Sequence, residues 1–240
     1  MKTSHKLLLG LALFLVVLMG VSATVLRKQF DGIDTTNPRA RWQTRPLPVF
    51  SAVVITGPTS AIVQIEQGET TRLLADTLNR MENTPYTYRV ANDTLFLQVG
   101  LVPGWKFRPD ATDDQAHTPQ LVVQTPRLNT VLTTNADCQI VGWKSPSLTL
   151  SQRGQGGRIM LTGNTLDILS TAQTGKTLLV IETMTNRITN GNFTLLDSAS
   201  LFQDAEFSGK IAIRAAPAST LRLRGKSLIQ ATRPAPAQVR

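Results

Sequence analysis

Between residues 120 and 229, short apolar runs recur about every eight to eleven residues, each about as long as a β-strand. Among them are Leu121-Val122-Val123, Gln139-Ile140-Val141, Leu148-Thr149-Leu150, Ile159-Met160-Leu161, Leu178-Leu179-Val180-Ile181, Ile211-Ala212-Ile213 and Leu221-Arg222-Leu223. Turn-formers stand between the runs, notably Ser145-Pro146-Ser147, Gly156-Gly157, Gly163-Asn164, Gly175, Asn190-Gly191-Asn192, Gly209 and Ala216-Pro217, so no run can lengthen into a helix. The pattern dictates an all-β chain. Strand pairs repeat at about eighteen to twenty residues, from Ile140 to Ile159 to Leu178, from Leu148 to Leu166 and from Leu195 to Ile213, which fits one coil of a parallel solenoid. Alternate side chains of each rung then face inward and bury the next rung's apolar row, while Thr149, Asp167 and Arg222 face outward. The fold expected is a single-domain parallel β-solenoid, β-helix-like, over residues 49–230. Aromatic residues make up only 5% of the chain, which suits a thin layered core better than a ring-walled cofactor pocket.

Ahead of this domain, Lys2 and Lys6 precede residues 7–26, a stretch without a charge. As a helix it would rise about 30 Å, the thickness of a bilayer's hydrocarbon core. The same residues also read as a secretory signal, with Val21-Ser22-Ala23 offering a cleavage site before Thr24. Either way the remainder crosses the membrane. Apolar character continuing through Val25 and Leu26 to Arg27-Lys28 favours the uncleaved anchor, with residues 1–6 as a cytoplasmic head and the C-terminal domain outside the cytoplasm. Residues 27–48 are polar, basic and broken by Pro38, Pro46 and Pro48, and so read as an extended linker. Pro234 and Pro236 mark residues 231–240 as a flexible tail.

From Phe50 the β pattern begins. Tyr86 to Val90, the turn Ala91-Asn92-Asp93 and Thr94-Leu95-Phe96-Leu97 read as a hairpin, and Leu74, Leu78 and Met81 leave room for a turn or two of helix. The order Phe50-Ser51-x-Val53-x-Ile55-x-Gly57, then Val63-x-Ile65-x-Gln67-Gly68, then Thr94-Leu95-x-Leu97 resembles the opening of the family called putative auto-transporter adhesin, head GIN domain. These are envelope proteins common in Bacteroidota. The resemblance covers residues 49–229 and implies a β-solenoid facing outward from the cytoplasm, with no catalytic residues to carry across. Where that family's repeats carry Gly-Ala/Ser-Ser-Asp-like turns, this chain has Thr134-Asn135-Ala136-Asp137, Gly163-Asn164 and Asn190-Gly191-Asn192.

The net charge is +9, and after Glu206 the chain carries Lys210, Arg214, Arg222, Arg224, Lys226, Arg233 and Arg240 with no acid. Such a segment attracts polyanions. Arg222, Arg224 and Lys226 are therefore candidate contacts for anionic glycans or lipid headgroups, whereas a location outside the cytoplasm argues against nucleic acid. A second candidate is the irregular stretch 100–119, whose Trp105, Lys106, Phe107 and Arg108 combine aromatic anchors with cations. The bland alternative for it is a loop that covers the open end of the stack.

Catalytic signatures are missing. The chain has no Gly-x-Ser-x-Gly elbow and no His-Glu-x-x-His, and Gly175-Lys176-Thr177 lacks the leading glycine and following helix of a phosphate loop. Asp110, Asp113 and Asp114 lack the ligand spacing of a calcium loop. Cys138 is the only cysteine, which rules out an internal disulfide, and at the start of a strand beside Asp137 it reads as a buried, inert thiol. No catalytic residue, metal or cofactor is expected. The reading is a non-enzymatic, membrane-tethered envelope protein whose β-solenoid serves as an adhesin-like or scaffold binding module. The rival is a polysaccharide-acting β-helix enzyme, lyase or hydrolase, which needs carboxylates stacked on one outward row.

Overall fold

The computed structural model describes residues 2–31, 39–40, 42–57, 62–76, 86–100, 119–182, 185–205 and 207–224. They belong to two compact units, Met1–Arg41 and Trp42–Arg240. The first holds one helix, α1 (Lys2–Asp31), which runs past the expected stop at Arg27-Lys28. The Ser22 and Thr24 hydroxyls donate to the Leu18 and Val21 carbonyls at 2.8 Å each, while Phe14, Val16, Met19 and Leu26 are exposed. Among the described residues no helix is long and apolar enough to cross a membrane. The transmembrane anchor expected over residues 7–26 thus draws no support from the described part of α1. The side chains of residues 7–9 and 12, within the charge-free stretch 7–26, lie outside the described ones.

The second unit is built from strands. In chain order they are β1 (Gln43–Pro46), β2 (Ala52–Thr56), β3 (Ile62–Gln67), β4 (Arg72–Ala75), β5 (Tyr86–Ala91), β6 (Thr94–Val99), β7 (Leu121–Thr125), β8 (Thr130–Thr134) and β9 (Asp137–Val141). There follow β10 (Lys144–Gly154), β11 (Arg158–Thr162), β12 (Thr165–Gly175), β13 (Leu178–Ile181), β14 (Arg187–Leu195), β15 (Ser200–Gln203), β16 (Ile211–Ala215) and β17 (Thr220–Leu223). A nine-stranded sheet runs β1-β4-β7-β3-β9-β11-β13-β15-β17, and an eight-stranded sheet runs β16-β14-β12-β10-β8-β2-β6-β5. From β9 on, each strand joins the sheet its predecessor did not, and pairs in parallel with the strand two places on.

Both sheets are nevertheless mixed, which corrects the expectation of an all-parallel solenoid. β4 lies antiparallel between β1 and β7, and β5 folds back on β6. The β5–β6 turn has only two residues, Asn92 and Asp93, both at positive φ (49° and 59°), the geometry that matches a hairpin's twist. Residues 27–48, expected as a linker, hold the end of α1 and the edge strand β1, where Pro46 is tolerated because its missing donor faces away from the ladder. The helical turn considered around Leu78 and Met81 lies outside the described residues.

The coil is longer than the sequence suggests. Ile159 pairs with Cys138 and Leu179, and Leu201 with Leu179 and Leu221, so successive offsets are 159−138=21, 179−159=20, 201−179=22 and 221−201=20. Inward residues of both sheets form one apolar cluster, with Ile140, Leu161, Ile181, Leu169 and Leu195 wholly buried. Two polar ladders run up the same stack. At one corner Trp143 N–H donates to Asn164 Oδ1 at 2.8 Å, and Asn164 N–H donates to Asn186 Oδ1 at 2.9 Å. Along the eight-stranded sheet Gln173 Nε2 donates to Gln152 Oε1 at 3.1 Å, both side chains being buried. These amides satisfy the backbone where the chain turns between sheets.

Candidate binding surface

Of the residues singled out in the sequence, Trp105, Lys106, Phe107, Arg108 and Lys226 lie outside the described residues, as do the acids 110, 113 and 114. Arg222 and Arg224 are described, and both belong to the last coil. That coil is held down by its turn. Ser219 N–H donates to Ala216 O at 2.9 Å, and Ser219 Oγ donates to Asp197 O at 3.2 Å in the coil before it. Arg222 faces outward as its alternation demands and stands in register with Phe202, its guanidinium 5.6 Å from the ring centroid. Arg224 follows β17, its N–H donating to Gln203 O at 3.1 Å and its guanidinium 3.5 Å from the Asp204 carboxylate. That ion pair is exposed, and such pairs contribute at most about 1 kcal/mol.

Four further residues belong to this surface: Lys210 and Arg214 lie in the acid-free segment noted in the sequence but were not named as contacts, and Phe202 and Leu221 carried no signal there. Phe202 supplies the ring under Arg222, Lys210 and Arg214 are exposed on the eight-stranded sheet's side, and Leu221 is 41% exposed. Lys210 is fixed by its own N–H, which donates to Asn190 Oδ1 at 3.0 Å.

The described acids do not all stack on one outward row, the arrangement that the enzymatic rival needs. Asp137 accepts from Arg158 N–H at 2.7 Å and Asp167 is exposed on the other sheet. Glu182 and Asp204, however, follow the paired residues Ile181 and Gln203 and so share one row, which Arg224 continues. Both are engaged: Thr162 Oγ1 donates to Glu182 at 2.9 Å and Arg224 faces Asp204. Lys176 sits in the turn between β12 and β13, a strand-to-strand setting that removes the phosphate-loop reading. Cys138 is buried, and desolvation, then the Asp137 carboxylate, push its thiol well above the usual range. Among the described residues no group of three or more His, Cys, Asp or Glu side chains is placed to hold a metal ion.

No family model matches the sequence, and no curated protein is similar to it. Similar solved structures exist at low identity. A putative adhesin from Bacteroides fragilis is 16% identical over 78% of this chain and 95% of its own, with a TM-score of 0.44. A putative lipid binding protein from Parabacteroides distasonis is 13% identical over 78% of this chain and 95% of its own, with a TM-score of 0.35. A putative adhesin from Parabacteroides merdae is 11% identical over 79% of this chain and 98% of its own, with a TM-score of 0.29. Superposition at this level carries no argument about what this chain binds.

Proposed function

We propose that this chain is an exported cell-envelope protein that works by surface contact, without catalysis, and that the basic last coil of its β-stack holds anionic glycan or lipid headgroups. One observation carries the reading: Lys210, Arg214, Arg222 and Arg224 are all exposed on a single coil, against which Asp204 sets one carboxylate. A cation cluster of this kind raises the local concentration of polyanions and releases them as salt screens it. The charge-free N-terminal segment with small residues before Thr24 supports export, and the motif order from Phe50 to Leu97 supports kinship with the head GIN domain adhesins. The enzymatic rival draws only on the Glu182–Asp204 row, whose carboxylates already have partners.

The test is retention of the detergent-solubilised full chain on an acidic polysaccharide resin and on vesicles containing phosphatidylglycerol. Retention at low salt, lost by about 0.5 M salt and weakened by Arg222→Glu, is expected. If neither support retains the protein at low salt, the polyanion reading fails; release of reducing ends or unsaturated sugars from a polysaccharide panel would move the case to the enzyme.

A further inference from the structure

The last described coil presents a surface that the earlier coils do not. In those, the inward position is sealed: Leu179 is 1% exposed and Leu201 0%. The same position in the last coil is Leu221, 41% exposed, and the inward Ile211 and Ile213 of β16 are only half-buried. Core side chains therefore look out along the stacking direction. Around them stand the four exposed cations, Arg222 and Arg224 beside the nine-stranded sheet, Lys210 and Arg214 beside the eight-stranded one.

The placement of these charges selects the shape of their complement. Packed sheets lie about 10 Å apart, so the two cation pairs flank the coil on opposite sides. A single polysaccharide chain running along one outer face meets Arg222 or Arg214 but not both, whereas a plane laid across the end meets all four. An apolar centre with a cationic rim is also what a lipid interface accepts, since apolar side chains enter the boundary below the headgroups while Lys and Arg hold phosphates. A second copy set end to end would oppose like charges. The opposite end of the stack is closed differently, with Arg45 lying 5.9 Å from the ring centroids of both Tyr86 and Tyr88.

From this arrangement, and resting on the polyanion reading above, we infer that the last described coil docks end-on against a lipid leaflet bearing anionic phosphate headgroups. Leu221, Ile211 and Ile213 enter the headgroup layer and the four cations neutralise phosphates around them.

The experiment places an environment-sensitive thiol label at Leu221→Cys, or at Ala218→Cys in the adjoining turn, in the full chain carried in nanodiscs; buried Cys138 is not labelled. The readout is the label, so association through α1 does not count. Bromolipid quenching and a blue shift are expected in discs with phosphatidylglycerol and not in phosphatidylcholine alone. A label at Thr87→Cys, on β5 at the other end, should stay in water. Arg222→Glu and Arg214→Glu should each raise the anionic-lipid midpoint about 25-fold, at about fivefold per unit of charge near the surface.

Sensitivity to Arg222→Glu alone would point to a linear polymer on one face and overturn the inference. Equal quenching at Thr87→Cys would overturn it too. A label that stays in water on anionic discs, while acidic polysaccharide still retains the protein, overturns the lipid inference and leaves the polyanion reading standing.

Discussion

Replacing Asn164 by alanine removes the amide around which one corner of the stack is organised. Asn164 is fully buried; its Oδ1 accepts from Trp143 N–H at 2.8 Å, and its Nδ2 donates to Ile140 O at 2.9 Å and to Asn186 Oδ1 at 3.0 Å. Alanine keeps the bond from the Asn164 N–H to Asn186 Oδ1 and leaves the Ile140 carbonyl within its strand ladder, but strands the Trp143 N–H, in a residue 1% exposed. A buried unpaired group costs about 1–3 kcal/mol, so the loss is expected to be about 2 kcal/mol. For a unit of this size that lowers Tm by about 4–8 °C. Guanidinium titration followed by tryptophan fluorescence measures it, with the m-value as the check that the denatured state is unchanged. The double variant Asn164→Ala/Asn186→Ala should lose less than the sum of the singles, because the two amides bond each other. A loss below about 1 kcal/mol for Asn164→Ala would refute the view that side-chain amides, not solvent, satisfy the backbone at the corners.

Further outcomes follow from single positions. Gly175 sits at φ +84° with a notional Cβ 2.0 Å from Gly154 O, so Gly175→Ala must displace the backbone of the coil beneath and should cost about 2–4 kcal/mol; Gly142→Ala, at φ +65° in open space, should cost only about 1 kcal/mol in the same denaturation assay. Burial raises the Cys138 thiol, so the folded state keeps a proton that the unfolded thiol gives up. Stability is then full below about pH 8.5 and falls above it by up to about 1.4 kcal/mol per pH unit, a slope that Cys138→Ala should remove. In the β5–β6 hairpin Asn92→Gly should be neutral to within about 0.5 kcal/mol, while Asn92→Val, β-branched at φ 49°, should cost more than about 1 kcal/mol, read from the thermal midpoint.

The alternation that fills the core was legible because a strand's period of two needs no partner to be read. β11, β13 and β15 each bury the second and fourth of their residues, as Ile159-Met160-Leu161 and Leu178-Leu179-Val180-Ile181 suggest. Register was not legible, since matching apolar to apolar sets Ile140 against Ile159, whereas the ladder sets Ile140 against Leu161 and Ile159 against Cys138. Two turn signals also fall inside strands. Asn190-Gly191-Asn192 lies within β14, where Gly191 leaves room for the Phe193 and Phe207 rings, which would come within 2.6 Å of a Cβ there. Ser145-Pro146-Ser147 lies within β10, and the ladder to β12 passes over Pro146. Glycine and proline mark a break in local preference, and long-range pairing outweighed it at both sites.

The surface was half legible for a related reason. Arg222 declares itself outward by alternation, but Phe202 beneath it becomes its neighbour only once the coil length of 222−202=20 is known, and Glu182, Asp204 and Arg224 share a row through unequal steps of 22 and 20. Once the rows are known, the distribution of charge has a physical logic. The outer row Thr130, Thr149, Ser170 and Asn192 crosses the eight-stranded sheet without a charge, each side chain one strand spacing, about 4.8 Å, from the next. A cation repeated along such a row would repel its copy in every neighbouring coil. On the last described coil a cation has a described coil on one side only, and at Arg224 that coil offers the Asp204 carboxylate. A stacked fold therefore tolerates clustered positive charge on an edge coil at less electrostatic cost than on its faces, and the last described coil is where Lys210, Arg214, Arg222 and Arg224 stand.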